Sequence, residues 1–206
     1  MGLDAALQRE LIRTVAERII AHADELVALD QAIGDGDHGL NMKRGCEAVL
    51  AELDKLAAMP LNEALKAAGM ALVMKVGGAS GPLYGSLFMA LGKALPAASP
   101  DREALTEAFA AAVEAVKARG KSDVGQKTML DVLVPVLAAL RGKPVDLSAR
   151  VRDTATQAAA ATVPMLATRG RASFLGSRSV GHMDPGARSS ELMVLAVLDV
   201  MEAGEK

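Results

Sequence analysis

The sequence predicts an all-α protein of one domain spanning residues 1–206, and three observations carry that expectation. Alanine fills 40 of the 206 positions, and Leu and Met supply much of the remaining apolar content; all three are strong helix formers. The aromatic residues that strands favour are reduced to Tyr84, Phe88, Phe109 and Phe174, with no Trp. Apolar side chains also recur at helical spacing, as at Leu7, Leu11, Val15 and Ile19, with Arg9, Arg13 and Glu17 between them.

The elements follow in chain order. The four-residue apolar repeat predicts a first helix over residues 3–29, and a Gly/Asp-rich loop follows at 30–39. A second helix is expected over 40–56. A third starts with Asn62 as N-cap and ends by Gly77. The turn Gly77-Gly78-Ala79-Ser80-Gly81 leads to Pro82, a favourable first helical residue, and a fourth helix to residue 95. Ser99-Pro100-Asp101 reads as an N-cap, a proline and an acid that start a fifth helix closing at Gly120. After a loop at 121–127, a sixth helix contains Pro135. A seventh, capped by Asp146, runs over 147–168 with Pro164 bending its end. A long loop at 169–186 precedes a last helix over 185–203. Eight helices without a low-complexity linker or fixed repeat predict an antiparallel bundle or barrel. In an up-and-down array alternate loops share one end. The loops at 30–39, 77–81, 120–127 and 169–186 would then meet at one rim, and these are the glycine-rich ones.

Composition removes several function classes. With 23 basic and 25 acidic residues the net charge is −2, so no basic surface for nucleic acid is expected, and stacking platforms are nearly absent. The longest apolar run, residues 132–140, is too short to cross a bilayer. The N-terminal segment is amphipathic and charged, unlike a secretory signal. Cys46, the single cysteine, has no disulfide partner within the chain. A chain of this length buries roughly 70% of its unfolded surface without covalent staples. A cytoplasmic protein is expected.

The 30–39 loop carries the chemistry. Asp30, Asp35 and Asp37 lie within eight residues, interleaved with Gly34, Gly36 and Gly39. Two carboxylates about 5 Å apart at an effective dielectric near 20 repel by roughly 3 kcal/mol, so gathering three calls for a cation. An all-oxygen ligand set suits Mg²⁺ or Ca²⁺; the plainer reading is a solvated turn in which the acids serve as caps. An EF-hand counted from Asp35 fails, because Leu40 stands where glycine is required and Cys46 where the bidentate Glu belongs. Gly34, Gly36 and Gly39 match G-x-G-x-x-G, yet the segment before them is helical and Asp35 and Asp37 would repel a pyrophosphate. Any phosphate contact of this loop must pass through metal ions. The turn at 77–81, opening a helix, favours an anion. Gly120-Lys121-Ser122 imitates the end of a P-loop, but the first required Gly is Ala115. Arg171 and Arg178 could neutralise phosphate oxygens or serve in surface ion pairs.

Four ordered motifs together resemble the ADP-binding L subunits of dihydroxyacetone kinases. They are Gly34-Asp35-Gly36-Asp37-His38-Gly39, Gly77-Gly78-Ala79-Ser80-Gly81-Pro82, Lys127-Thr128-Met129, and Gly170-Arg171-Ala172-Ser173 through Asp184-Pro185-Gly186. The resemblance implies an eight-helix antiparallel barrel with a nucleotide at one rim. It implies that Asp30, Asp35 and Asp37 hold two Mg²⁺ ions, and that His38, Gly39, Leu40, Asn41, Ala79 and Ser80 meet the phosphates of ADP. Gly120, Met129, Arg171 and the turn Asp184-Pro185-Gly186 would complete the nucleotide site. The implied chemistry is phosphoryl transfer, dominated by positioning and charge neutralisation. The resemblance implies that the sugar is held by a histidine on a separate K subunit or domain, and no catalytic residue is assigned on this chain. Chain length favours the form in which ADP stays bound and is rephosphorylated in place by a phosphohistidine on an M subunit, with phosphoenolpyruvate as ultimate donor. Two other readings stay open: the L part of an ATP-dependent kinase for dihydroxyacetone or another small ketose, and a non-catalytic helical interaction protein. A homodimer is compatible with all of them.

Overall fold

The computed structural model describes residues 4–97, 100–142 and 146–204, and these contain helices and no strand. Among the described residues there are ten α-helices: α1 (Ala5–Ala21), α2 (Ala23–Ile33), α3 (His38–Ala51), α4 (Leu53–Ala58), α5 (Leu61–Lys75), α6 (Ser80–Ala94), α7 (Arg102–Gly120), α8 (Leu130–Arg141), α9 (Leu147–Ala161) and α10 (Pro185–Gly204). A 3₁₀ segment, Arg171–Ser179, lies between α9 and α10.

The eight expected rods are present, and the two extra helices come from breaks in the first two. The first rod breaks at His22, with φ −103° and ψ 13°. The ring Nδ1 of His22 lies 2.8 Å from the carbonyl of Arg18, four residues back, so a side chain competes for a helical acceptor. The second rod breaks in the same backbone conformation at Glu52. Neither site carries Pro or Gly, so apolar spacing runs straight through both.

The helix ends follow local chemistry. Asp101 accepts the Ala104 N–H at 2.8 Å and Asp146 the Ala149 N–H at 3.0 Å, as N-caps should; Ser99 lies outside the described residues. The cap of α5 is Pro60 instead of Asn62, and the N–H groups of Glu63 and Ala64 bond to the Pro60 carbonyl. The expected helix over 147–168 stops at Ala161, seven residues early. Pro164 lacks an N–H, and the residue before a proline resists helical angles.

The rods form a closed ring. The first rod packs on the second, the second on α5, and each helix from α5 to α10 on its successor; α10 returns to α1. Ile19, Leu26, Met42, Tyr84, Val113, Leu130 and Leu192 fill the interior and are almost wholly buried. Each large apolar side chain contributes about 1.5–3 kcal/mol by leaving water. Alanine does different work: Ala112, Ala155, Ala159, Ala187 and Ala196 are fully buried and let neighbouring backbones approach closely. Glycine serves the same end between α5 and α6, where a Cβ on Gly69 would stand 2.9 Å from the Gly85 carbonyl oxygen and one on Gly85 2.9 Å from that of Gly69. None of the described helices is long and apolar enough to cross a membrane.

Candidate functional site

Alternating rods bring the four glycine-rich loops to one end. They surround a cleft of about 790 Å³, counting the space open to solvent. Asp30, Asp35, Asp37 and His38 line it from the first loop and Gly78, Ala79 and Ser80 from the second. Lys127, Thr128 and Met129 come from the third, and Gly170, Arg171 and Asp184–Gly186 from the fourth.

Asp30 sits on the last turn of α2 and is buried. Its Oδ2 accepts the backbone N–H of His38 at 3.0 Å, which folds the loop back onto the start of α3. Gly34 makes room for this carboxylate, since a Cβ there would lie 2.2 Å from Asp30 Oδ1. Asp35 is exposed and Asp37 half-buried, and one oxygen from each of the three acids lies within 4.8 Å of the others. Three hard oxygen donors without sulfur or nitrogen fit Mg²⁺. Arg171 Nε lies 3.1 Å from Asp35 Oδ2, tying the fourth loop to the first through a solvent-exposed pair of small energetic weight.

His38 is buried, and both ring nitrogens are engaged: Nδ1 lies 2.9 Å from Ser80 Oγ and Nε2 3.0 Å from Ser189 Oγ. Burial lowers its pKa, against the pull of Asp30 and Asp37. Ser189 Oγ is 2.7 Å from the Tyr84 hydroxyl, which also reaches the Gly186 carbonyl and Ser190 Oγ. This chain joins α3, α6 and α10 beneath the cleft. Its members Tyr84 and Ser189 were not legible as site residues, because the bonds span more than 100 positions; the lone tyrosine just after the second site loop was the available signal.

The second loop ends in the first turn of α6, where the helix dipole and the unpaired N–H groups favour an anion. Asn41 lies under the Gly77-Gly78 turn, buried, and its Nδ2 has no partner among the described residues. Asp184 caps α10 by accepting the Ala187 N–H at 2.7 Å. Burial raises its pKa to about 7; that N–H and nearby Lys127 act against the rise, and Asp131 adds to it.

Of the residues expected at a nucleotide, His38, Ala79, Ser80, Met129, Arg171, Asp184, Pro185 and Gly186 line the cleft. Gly39, Leu40, Asn41 and Gly120 do not line it. Leu40 is 54% exposed. Gly120 stands at the end of α7, where a Cβ would lie 3.3 Å from the side chain of Leu83, itself a lining residue.

The DAK2 domain family matches residues 32–199. The chain belongs to the DAK2 domain family. It is 47% identical over 182 residues to the ADP-binding subunit DhaL of PEP-dependent dihydroxyacetone kinase 1 from Listeria innocua, covering 88% of this chain and 89% of that one. It is 44% identical over 180 residues to the DhaL subunit of the Escherichia coli PEP-dependent dihydroxyacetone kinase, covering 84% and 85%. It superposes on the dihydroxyacetone kinase of C. freundii, solved in complex with AMP-PNP and Mg²⁺, with a TM-score of 0.74 and 26% identity. That match covers 97% of this chain and 34% of the kinase, so the chain spans about a third of the larger protein.

Proposed function

We propose that the chain is the ADP-binding, phosphoryl-transferring subunit of a phosphoenolpyruvate-dependent dihydroxyacetone kinase in the cytoplasm. The observation that carries this reading is the convergence of Asp30, Asp35 and Asp37 inside a four-loop cleft, in a chain alike over most of its length to DhaL subunits. The three carboxylates would hold two Mg²⁺ ions, and ions held there would supply neutralisation of the phosphate charge. The residues of the cleft would hold ADP, and ADP held there would supply the phosphoryl acceptor and donor between a phosphohistidine on an M subunit and dihydroxyacetone on a K subunit.

The chain's own residues supply position and charge. Asp30, fixed by the His38 N–H, gives the ion site one rigid ligand. The start of α6 presents Ser80 and backbone N–H groups to phosphate oxygens. Arg171 is placed to exchange its contact with Asp35 for one with phosphate. Met129 and the Asp184–Gly186 turn form the wall for the nucleoside. No group of this chain needs to take the proton of the sugar hydroxyl, a task left to the partner that holds the sugar.

The test is the nucleotide content of protein purified in Mg²⁺. Chromatography of the denatured supernatant is expected to show adenine nucleotide near one per chain, and its absence contradicts the reading. A second reading, an ATP-using ketose kinase, is favoured by 35% identity over 208 residues to the D-erythrulose kinase of Mycolicibacterium smegmatis, of which the chain covers 35%. Assays with ATP against phosphoenolpyruvate plus relay proteins separate the two.

A further inference from the structure

Lys127 is buried beside the cleft, the residue 1% exposed, in left-handed backbone conformation at φ +61°. That conformation is uncommon outside glycine and asks for a compensating contact. The contact is the ammonium group. Lys127 Nζ donates to the carbonyls of Thr162 at 2.8 Å, Met165 at 3.1 Å and His182 at 2.5 Å, with Val163 more distant at 3.4 Å. The Thr162, Val163 and Met165 carbonyls are freed because α9 stops at Ala161 and Pro164 prevents its continuation; that of His182 comes from the turn before α10. An ammonium carries three N–H donors and so satisfies three convergent carbonyls at once.

Three segments therefore meet on one amine: the 125–129 loop, the turn after α9, and the turn before α10. Other bonds keep them in the same register. Asp131 accepts the N–H groups of Gly125 and Thr128, fixing the loop from below. The Asp184 N–H donates to Thr162 Oγ1 at 3.1 Å, and the Gly181 N–H to the Val163 carbonyl at 2.8 Å. Above the amine, the Asp184–Gly186 turn sits against Met129: a Cβ on Gly186 would be 3.4 Å from the Met129 nitrogen. The pinned residues thus include the proposed nucleoside wall, and the pin does not touch the carboxylate trio.

We infer that Lys127 is a positioning residue for the nucleoside end of the cleft, acting through Met129 and the Asp184–Gly186 turn. The inference rests on the nucleotide-binding reading above. Its test compares Mg²⁺–ADP with Mg²⁺–pyrophosphate by calorimetry in the full chain and in Lys127→Met and Lys127→Gln. In the unaltered chain ADP is expected to bind more tightly than pyrophosphate; failure of any ADP binding there overturns the nucleotide reading itself. With ADP bound by the unaltered chain, Lys127→Met is expected to weaken ADP by roughly ten- to a hundredfold, as displaced supports of a site do. Its pyrophosphate affinity should stay within about twofold, and Lys127→Gln, which keeps an amide donor, should fall between. Equal losses for both ligands, or no loss for ADP, overturn the inference. So does failure of both variants to fold, which would make Lys127 a residue of the fold and not of the wall.

Discussion

Asp35 and Asp37 face each other and Asp30 across less than 5 Å, an arrangement that costs the metal-free chain Coulomb energy. Replacing both with Asn should therefore leave the unfolding midpoint in EDTA unchanged or higher. The same change should weaken Mg²⁺–ADP by about 2 kcal/mol or more, roughly thirtyfold. Paired denaturation and binding titrations check both halves, and a metal-free chain clearly destabilised by the double change would show that the acids serve as caps. Asp184 makes the opposite kind of prediction. Its carboxyl titrates near 3.8 when unfolded and near 7 in the fold. Between those values the folded chain keeps a proton that the unfolded chain has shed, so this group's contribution to stability falls as pH rises from about 4 to 7 and levels off above. Urea unfolding of the chain against Asp184→Asn in metal-free buffer should show their difference shifting against the chain across that range. A constant difference would mean that Asp184 is ionised throughout.

At the scale of elements, small residues set how closely the rods approach. A Cβ on Gly85 would stand 2.3 Å from Val73 Cγ2 as well as against the Gly69 carbonyl. Gly85→Ala is expected to cost about 1–3 kcal/mol despite its better helix propensity, as read by urea denaturation; a stabilised variant would show that α5 and α6 can separate freely. The rods themselves were legible because punctuation is local. Asp146 caps as its residue type and position dictate, Asp101 takes the cap where Ser99 was expected to, and Pro82 and Pro185 lie in first turns. The breaks at His22 and Glu52 were not legible, since neither carries a breaking residue and the repeat continues across them. The early end of α9 has a different origin. Pro164 was visible, but the buried ammonium of Lys127, 35 or more positions away, receives the carbonyls that an extended helix would have used.

The whole molecule turns local signals into a site by parity. Alternate connections of an up-and-down ring lie at one end, so four loops separated by 40 to 50 residues converge without any of them specifying the others. The carboxylate trio was readable as a cluster because its members are neighbours in sequence. The supports around it were not: the His38–Ser189 bond spans 151 positions and the Tyr84–Ser189 bond 105. Such partners exist only once the ring has closed. On the proposed function, the closed ring gathers three carboxylates so that divalent cations can clamp a diphosphate. Titration of nucleotide-stripped protein with ADP, in millimolar Mg²⁺ and again in EDTA, tests it most directly. Saturable binding near one ADP per chain that disappears in EDTA is the expected result, and equal binding in both buffers, or none in either, would contradict it.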